Sequence, residues 1–208
     1  MKQILSFLVL LLSLICSTTV MAKEWNADKP ILFLGSSTIE LWGQRLGVDF
    51  PGLNIINLGA GGSKFYYLLE NAEKWIQLHP NTDRIVIYSG DNDIADGDSA
   101  DKVLSNASEL IDIFHKKLPQ AQLYLISVKI CPDRMRFVST VRKVNEDFKA
   151  LEHERPYLTY VDTASTLLDG SGLPIRDYFR ADGVHLTDGG YEEWAKVLFP
   201  VLRDSLNY

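Results

Sequence analysis

The residues with the clearest chemical potential stand at the two ends of the sequence. Near the start, the apolar run Ile31-Leu32-Phe33-Leu34 breaks at Gly35-Ser36-Ser37-Thr38. A strand that turns through Gly and Ser into a helix lifts a hydroxyl to the sheet edge, beside the unpaired N–H groups of the helix start. A serine hydroxyl is a weak nucleophile until a base takes its proton. His185 offers such a base. Asp182 lies three residues earlier in the glycine-containing turn Asp182-Gly183-Val184-His185. A carboxylate there can reach the second ring nitrogen, fix the tautomer and stabilise the imidazolium as it forms. The other histidines suit plainer roles. His79 precedes Pro80 at a helix end, His115 adjoins Lys116 and Lys117, and His153 sits in the charged run 152–155.

Two further turns could complete the set. Asn57-Leu58-Gly59-Ala60-Gly61-Gly62-Ser63 and Gly90-Asp91-Asn92-Asp93 each follow an apolar run. A glycine such as Gly62 lets backbone N–H approach a substrate closely. The Asn92 side chain can aim a neutral N–H at developing negative charge without titrating. Taken singly, each motif has a simpler reading: helix capping for Ser36, Ser37 and Thr38, turn geometry for the glycines and for Asp182, an Asx-turn for Asn92. Their joint order and placement carry the chemical reading.

The elements that must position these residues alternate. Strand-length apolar runs occur at Ile31–Leu34, Asn54–Leu58, Arg84–Tyr88, Leu123–Val128 and Leu158–Val161. Helical spacing occupies Ser63–Leu78, Ser99–Leu118 and Met135–Glu154. A last helix is expected from Thr187 or Asp188 to near Asn207, with Pro200 breaking or bending it. Five buried strands alternating with helices imply a parallel sheet covered on both faces, with sites at the loops that follow the strands. Every motif above falls on such a loop or on the loop before the last helix.

The order Ser37, Gly62, Asn92, then Asp182-x-x-His185 resembles the SGNH hydrolases, also called the GDSL esterase/lipase family, over nearly the whole chain beyond residue 30. The resemblance implies an α/β fold, a three-layer α/β/α sandwich with a five-stranded parallel sheet of flavodoxin-like order 2-1-3-4-5. It also implies a Ser37–His185–Asp182 triad, and an oxyanion hole formed by the Ser37 N–H, the Gly62 N–H and the Asn92 side chain. No cofactor or metal is required. The sequence departs from the family's Gly-Asp-Ser at Ser36, which leaves Ser36 as an alternative register for the nucleophile. On this reading the protein is an esterase acting on small-molecule or carbohydrate esters. A lysophospholipase or thioesterase of the same family, a non-catalytic glycan-binding module and a flavodoxin-like mononucleotide carrier are the rivals.

Lys2, the apolar run Ile4–Ile15 and the small residues before Lys23 read as an export signal cleaved after Ala22. Residues 1–22 are then the signal, residues 23–208 one esterase domain, and the product is periplasmic or secreted without a stable membrane anchor; a lipid on Cys16 is the alternative. A formal net charge of −6 disfavours nucleic acid as a partner. Without Cys16, Cys131 has no disulfide partner and reads as a packed thiol. Asp91, Asp93, Asp96 and Asp98 do not follow calcium-loop spacing. Trp42, Phe65 and Tyr66 are candidates to wall a substrate pocket, with core packing as the plainer role, and Lys129, Arg134 and Arg136 read as a solvated basic face. A polar rim of Asp91, Asp93, Lys129, Arg134, Asp177 and Arg180, with no apolar lid insertion, favours short acyl chains.

Overall fold

The computed structural model describes residues 29–204. The expected export signal, Cys16 and the expected helix end near Asn207 lie outside them. The chain forms five strands, β1 (Ile31–Gly35), β2 (Ile55–Gly59), β3 (Arg84–Tyr88), β4 (Gln122–Ile126) and β5 (Leu158–Val161). All pair in parallel in the order β2-β1-β3-β4-β5. The helices are α1 (Ser37–Trp42), α2 (Leu46–Asp49), α3 (Phe65–Leu78), α4 (Asp91–Ala95), α5 (Ala100–Lys117), α6 (Val138–Glu154) and α7 (Asp188–Asp204).

Strand alternation divides the core in two. Leu32, Leu34, Ile85, Ile87, Leu123 and Leu125 face α3, α5 and α6. Ile31, Phe33, Val86, Tyr88, Tyr124 and Ile126 face α1, α2 and α7. Both faces are buried, so these strands read as continuous apolar runs rather than alternating ones. On the second face Trp42 is the hub. Its ring stacks on Tyr191 at 5.2 Å between centroids and meets Phe33, Phe50 and Trp194. Its Nε1–H donates to Asp49 at 2.7 Å. This packing fixes α7 against α1, and the Tyr191 hydroxyl donates to the Thr38 carbonyl at 2.8 Å.

Element ends differ from the sequence expectation for identifiable reasons. β4 stops at Ile126 because Asn145 of α6 takes both the N–H and the carbonyl of Val128, each at 2.8 Å. α3 starts at Phe65 rather than Ser63, since the Ser63 hydroxyl donates to the Gly35 carbonyl and the Asp93 carboxylate accepts the Phe65 N–H. Residues Pro132–Phe137 form a 3₁₀ segment interrupted at Arg134, distinct from α6. α7 runs on past Pro200. α4 was not expected. Among the described residues no helix is long and apolar enough to cross a membrane.

Lys129 overturns the solvated-face reading. It is 1% exposed, and its ammonium donates to Thr38 Oγ1 at 2.8 Å, Tyr88 Oη at 2.8 Å and Asp91 Oδ2 at 2.7 Å. All three of its protons are satisfied. Burial penalises both charges, yet each holds the other: the Asp91 carboxyl lies below its ordinary range and the Lys129 ammonium above its own. Removing one member of such a pair strands the other in the core. Lys129→Met is therefore expected to cost ~3–5 kcal/mol in urea unfolding at neutral pH, towards the lower end because Arg134 Nη1 lies 3.6 Å from Asp91. Unchanged stability would show that the pair is not desolvated.

Candidate active site

The sheet order places three of the suspect turns side by side. β1 lies between β2 and β3, and in register Gly35 stands opposite both Gly59 and Tyr88. The turns that follow carry Ser37, Gly62 and Asn92. Hydrogen bonds join them laterally: the Ala60 N–H and the Ser63 hydroxyl both reach the Gly35 carbonyl, at 2.9 and 3.0 Å. Asn92 Nδ2 donates to the Ser63 carbonyl at 3.1 Å. α1 approaches so closely that a Cβ on Gly59 would lie 2.2 Å from the Glu40 nitrogen, so only glycine fits there. Gly62 has a φ of 71°, which also favours glycine.

Ser37 Oγ and His185 Nε2 are 2.8 Å apart, although 148 residues separate them. On its other side His185 Nδ1 lies 2.8 Å from Asp182 Oδ2. Ser36, the alternative register, is fully buried, and its hydroxyl has no partner among the described residues. The Asp182–His185 turn organises itself. Asp182 Oδ1 accepts the Val184 and His185 N–H groups at 2.8 and 2.9 Å. The Arg180 N–H bonds the His185 carbonyl at 2.7 Å, and Arg180 Nε reaches the Leu186 carbonyl. What desolvation the Asp182 carboxyl suffers works against its charge. The His185 ring and the two amide donors outweigh it and hold the carboxyl below the usual carboxylate range. It therefore stays ionised throughout the pH range in which a histidine base works.

The three prospective donors are available. Neither the Ser37 nor the Gly62 N–H is taken up by a carbonyl among the described residues. Asn92 uses one Nδ2 proton on Ser63, and its Oδ1 accepts from Arg134 Nη2 at 3.0 Å.

Other expected positions are corrected. Trp42 and Phe65 are fully buried in the two halves of the core and cannot wall an open pocket. Tyr66 is exposed. Asp91, Asp93 and Lys129 do not form a polar rim: Asp91 is held by Lys129, and Asp93 caps α3. Asp96 pairs with Lys64. Among the described residues no group of three or more His, Cys, Asp or Glu is placed to hold a metal ion. Cys131 is buried, and burial pushes its thiol up to about 11. Sequence reading missed the contacts of Lys129 and Arg134. A lysine inside the apolar stretch Ile126–Cys131 is the one signal that marked a buried charge.

Residues 25–193 match the model of the GDSL-like lipase/acylhydrolase family. The chain belongs to this family. It is accordingly a carboxylic ester hydrolase. Its fold is similar to that of a GDSL-like lipase from Bacteroides thetaiotaomicron, at 22% identity over 86% of this chain and 89% of the other, with a TM-score of 0.72. A carbohydrate esterase of family 3 from Talaromyces cellulolyticus is 16% identical over 86% of this chain and 98% of the other, with a TM-score of 0.68. An acetyl esterase variant holding an acetate ion gives the same values. Curated proteins yield no match.

Asp182→Asn would keep the size of the side chain but remove the charge that orients the imidazole. We expect kcat to fall roughly 10²–10⁴-fold with folding retained, read by steady-state kinetics and circular dichroism. Full activity would show that the Asp182 contact is incidental.

Proposed function

We propose that this hydrolase cleaves short-chain carboxylic esters, including O-acetyl groups on carbohydrate, with Ser37 as nucleophile, His185 as base and Asp182 as its orienting carboxylate. The observation that carries this reading is the continuous contact from Ser37 Oγ through the His185 ring to Asp182, at 2.8 Å on each side. Ser37 Oγ attacks the carbonyl carbon while its proton passes to His185 Nε2, and the carbonyl electron pair moves onto oxygen. The Ser37 and Gly62 N–H groups and the free Asn92 Nδ2 proton receive that oxyanion. Collapse expels the alcohol, which takes the proton from His185. Water then loses a proton to the same nitrogen as it attacks the acyl-serine. The second collapse releases the acid and restores Ser37.

The preference for a short acyl group rests on what surrounds Ser37. α1 follows β1 after a single residue, and only Ser89 and Gly90 separate β3 from α4. Trp42 and Phe65 belong to the core, so of the three aromatic candidates Tyr66 alone is exposed. An acyl methylene gains about 0.8 kcal/mol only where apolar surface can cover it. The long connection from β5 to α7 is folded back by the bridges Leu168–Pro174 and Phe179–Leu186. It carries the charged, exposed Asp177 and Arg180. The likeness to a carbohydrate esterase and to an acetyl esterase supports the same choice. We also read residues 1–22 as an export signal and the mature protein as periplasmic or secreted. The apolar run Ile4–Ile15 supports this, and residues 1–22 precede the family match, which begins at residue 25.

A panel of acetyl, butyryl and octanoyl esters, acetylated sugars and lysophospholipid tests the reading. kcat/KM should peak at acetyl to butyryl and vanish in Ser37→Ala, whose fold should persist. Activity rising to octanoyl, or a marked preference for lysophospholipid, would overturn the substrate class. Full activity in Ser37→Ala would overturn the mechanism. Protein recovered from the exporting cell should begin at Lys23 without lipid, and a diacylated Cys16 terminus would overturn the export reading.

A further inference from the structure

We infer that Arg134 is a positioning residue that fixes which end of the Asn92 amide faces the developing oxyanion; this rests on the proposed role of Asn92 in ester hydrolysis. A carboxamide is nearly symmetric in shape, and a flip about its last torsion exchanges acceptor for donor. In this site a flip would put an oxygen where the oxyanion forms. Two neighbours forbid it. Arg134 Nη2 donates to Asn92 Oδ1 at 3.0 Å, and a guanidinium has donors only. The Ser63 carbonyl, an acceptor only, takes one Nδ2 proton at 3.1 Å. After a flip, N–H would meet N–H and oxygen would meet oxygen. The remaining Nδ2 proton has no acceptor among the described residues and is left for substrate.

Arg134 is itself held in two places. Nη1 donates to the Asp91 carbonyl at 2.9 Å while Nη2 serves Asn92, so the planar fork spans two consecutive residues of α4. Asp91 lies beneath, anchored by Lys129, and its Oδ1 accepts the Asn92 N–H at 3.0 Å. Arg134 also occupies the break in the 3₁₀ segment, at φ −116° and ψ 21°, where the chain turns its side chain towards α4. Its guanidinium is partly buried, at 22% exposure, which preserves the strength of a charge-assisted bond. A cation on the amide oxygen also polarises the N–H that donates to substrate. Lysine offers one ammonium nitrogen in place of the planar fork and does not reproduce its two bonds of fixed geometry.

The test is a double-mutant cycle on an acetyl ester with Arg134→Ala, Asn92→Ala and the double variant, with thermal unfolding of each. Asn92→Ala should lower kcat roughly 10²–10³-fold, the loss expected for one oxyanion donor. Arg134→Ala should lower kcat roughly tenfold, with KM within about twofold, because the amide then samples the wrong orientation. In the Asn92→Ala background the same change should cost nothing further in kcat. Arg134→Lys should recover only part of the loss, and Arg134→Gln serves if the alanine variant does not fold. Equal losses from Arg134→Ala in both backgrounds, a change confined to KM, or an unchanged kcat would each overturn the inference. Asn92→Ala with full activity would overturn both this role and the oxyanion assignment. Ser37→Ala inactive beside additive losses would overturn the role of Arg134 alone.

Discussion

Two of the reactive turns at the sheet edge are referred to one buried cation. Lys129 arrives from the turn after β4 and touches Thr38 at the start of α1, Tyr88 at the end of β3 and Asp91 at the start of α4. Those are the elements that carry Ser37 and Asn92. A buried ion pair is weak as a source of net stability, because desolvation consumes most of the attraction. Its value here is geometric. Three short bonds from a single nitrogen triangulate two turns that share no covalent link, while the cost of an unmatched charge penalises any other arrangement.

The opposite side of Ser37 is set by apolar packing instead. Trp42, at the end of α1, stacks on Tyr191, near the start of α7. The Asp182–His185 turn lies just upstream of that helix. Docking α7 against α1 therefore also sets the imidazole against Ser37. The nucleophile is held between a polar clamp towards β3 and an aromatic clamp towards α7, both acting through the six-residue helix α1. A helix that short has little stability of its own, and its position is owed to tertiary contacts.

The sequence made some features plain and hid others, for physical reasons. The central strands β1, β3 and β4 were visible because burial on both faces makes them nearly continuous apolar runs, and α5 because Val103, Ala107, Leu110, Ile111 and Phe114 share one face. Ser37, Gly62, Asn92, Asp182 and His185 stood out because each follows a strand or lies in the loop before the last helix. Trp42 and Phe65 were open to misreading: nearness in sequence to a reactive turn does not say which way a helix face points, and both point into the core. Lys129 and Asp91 looked like surface charges because a lysine and an aspartate distant in sequence carry no periodicity that marks them as partners. The end of β4 was hidden for the same reason, since Asn145 decides it from another helix. Contacts between side chains far apart in the chain are what local patterns cannot register.

The Asp182–His185 pair closes within a single turn, while Ser37 lies 148 residues away. Orienting the imidazole therefore needs no distant segment, and assembly of the triad reduces to one loop closure. The entropy of such a closure grows only with the logarithm of the chain enclosed, about 0.6 kcal/mol for each doubling. Extra segments inserted at surface turns remote from the sheet edge would thus add little to the cost of assembling the site. This architecture can lengthen on its far side, acquiring new surfaces for new alcohols, without reopening the geometry that does the chemistry.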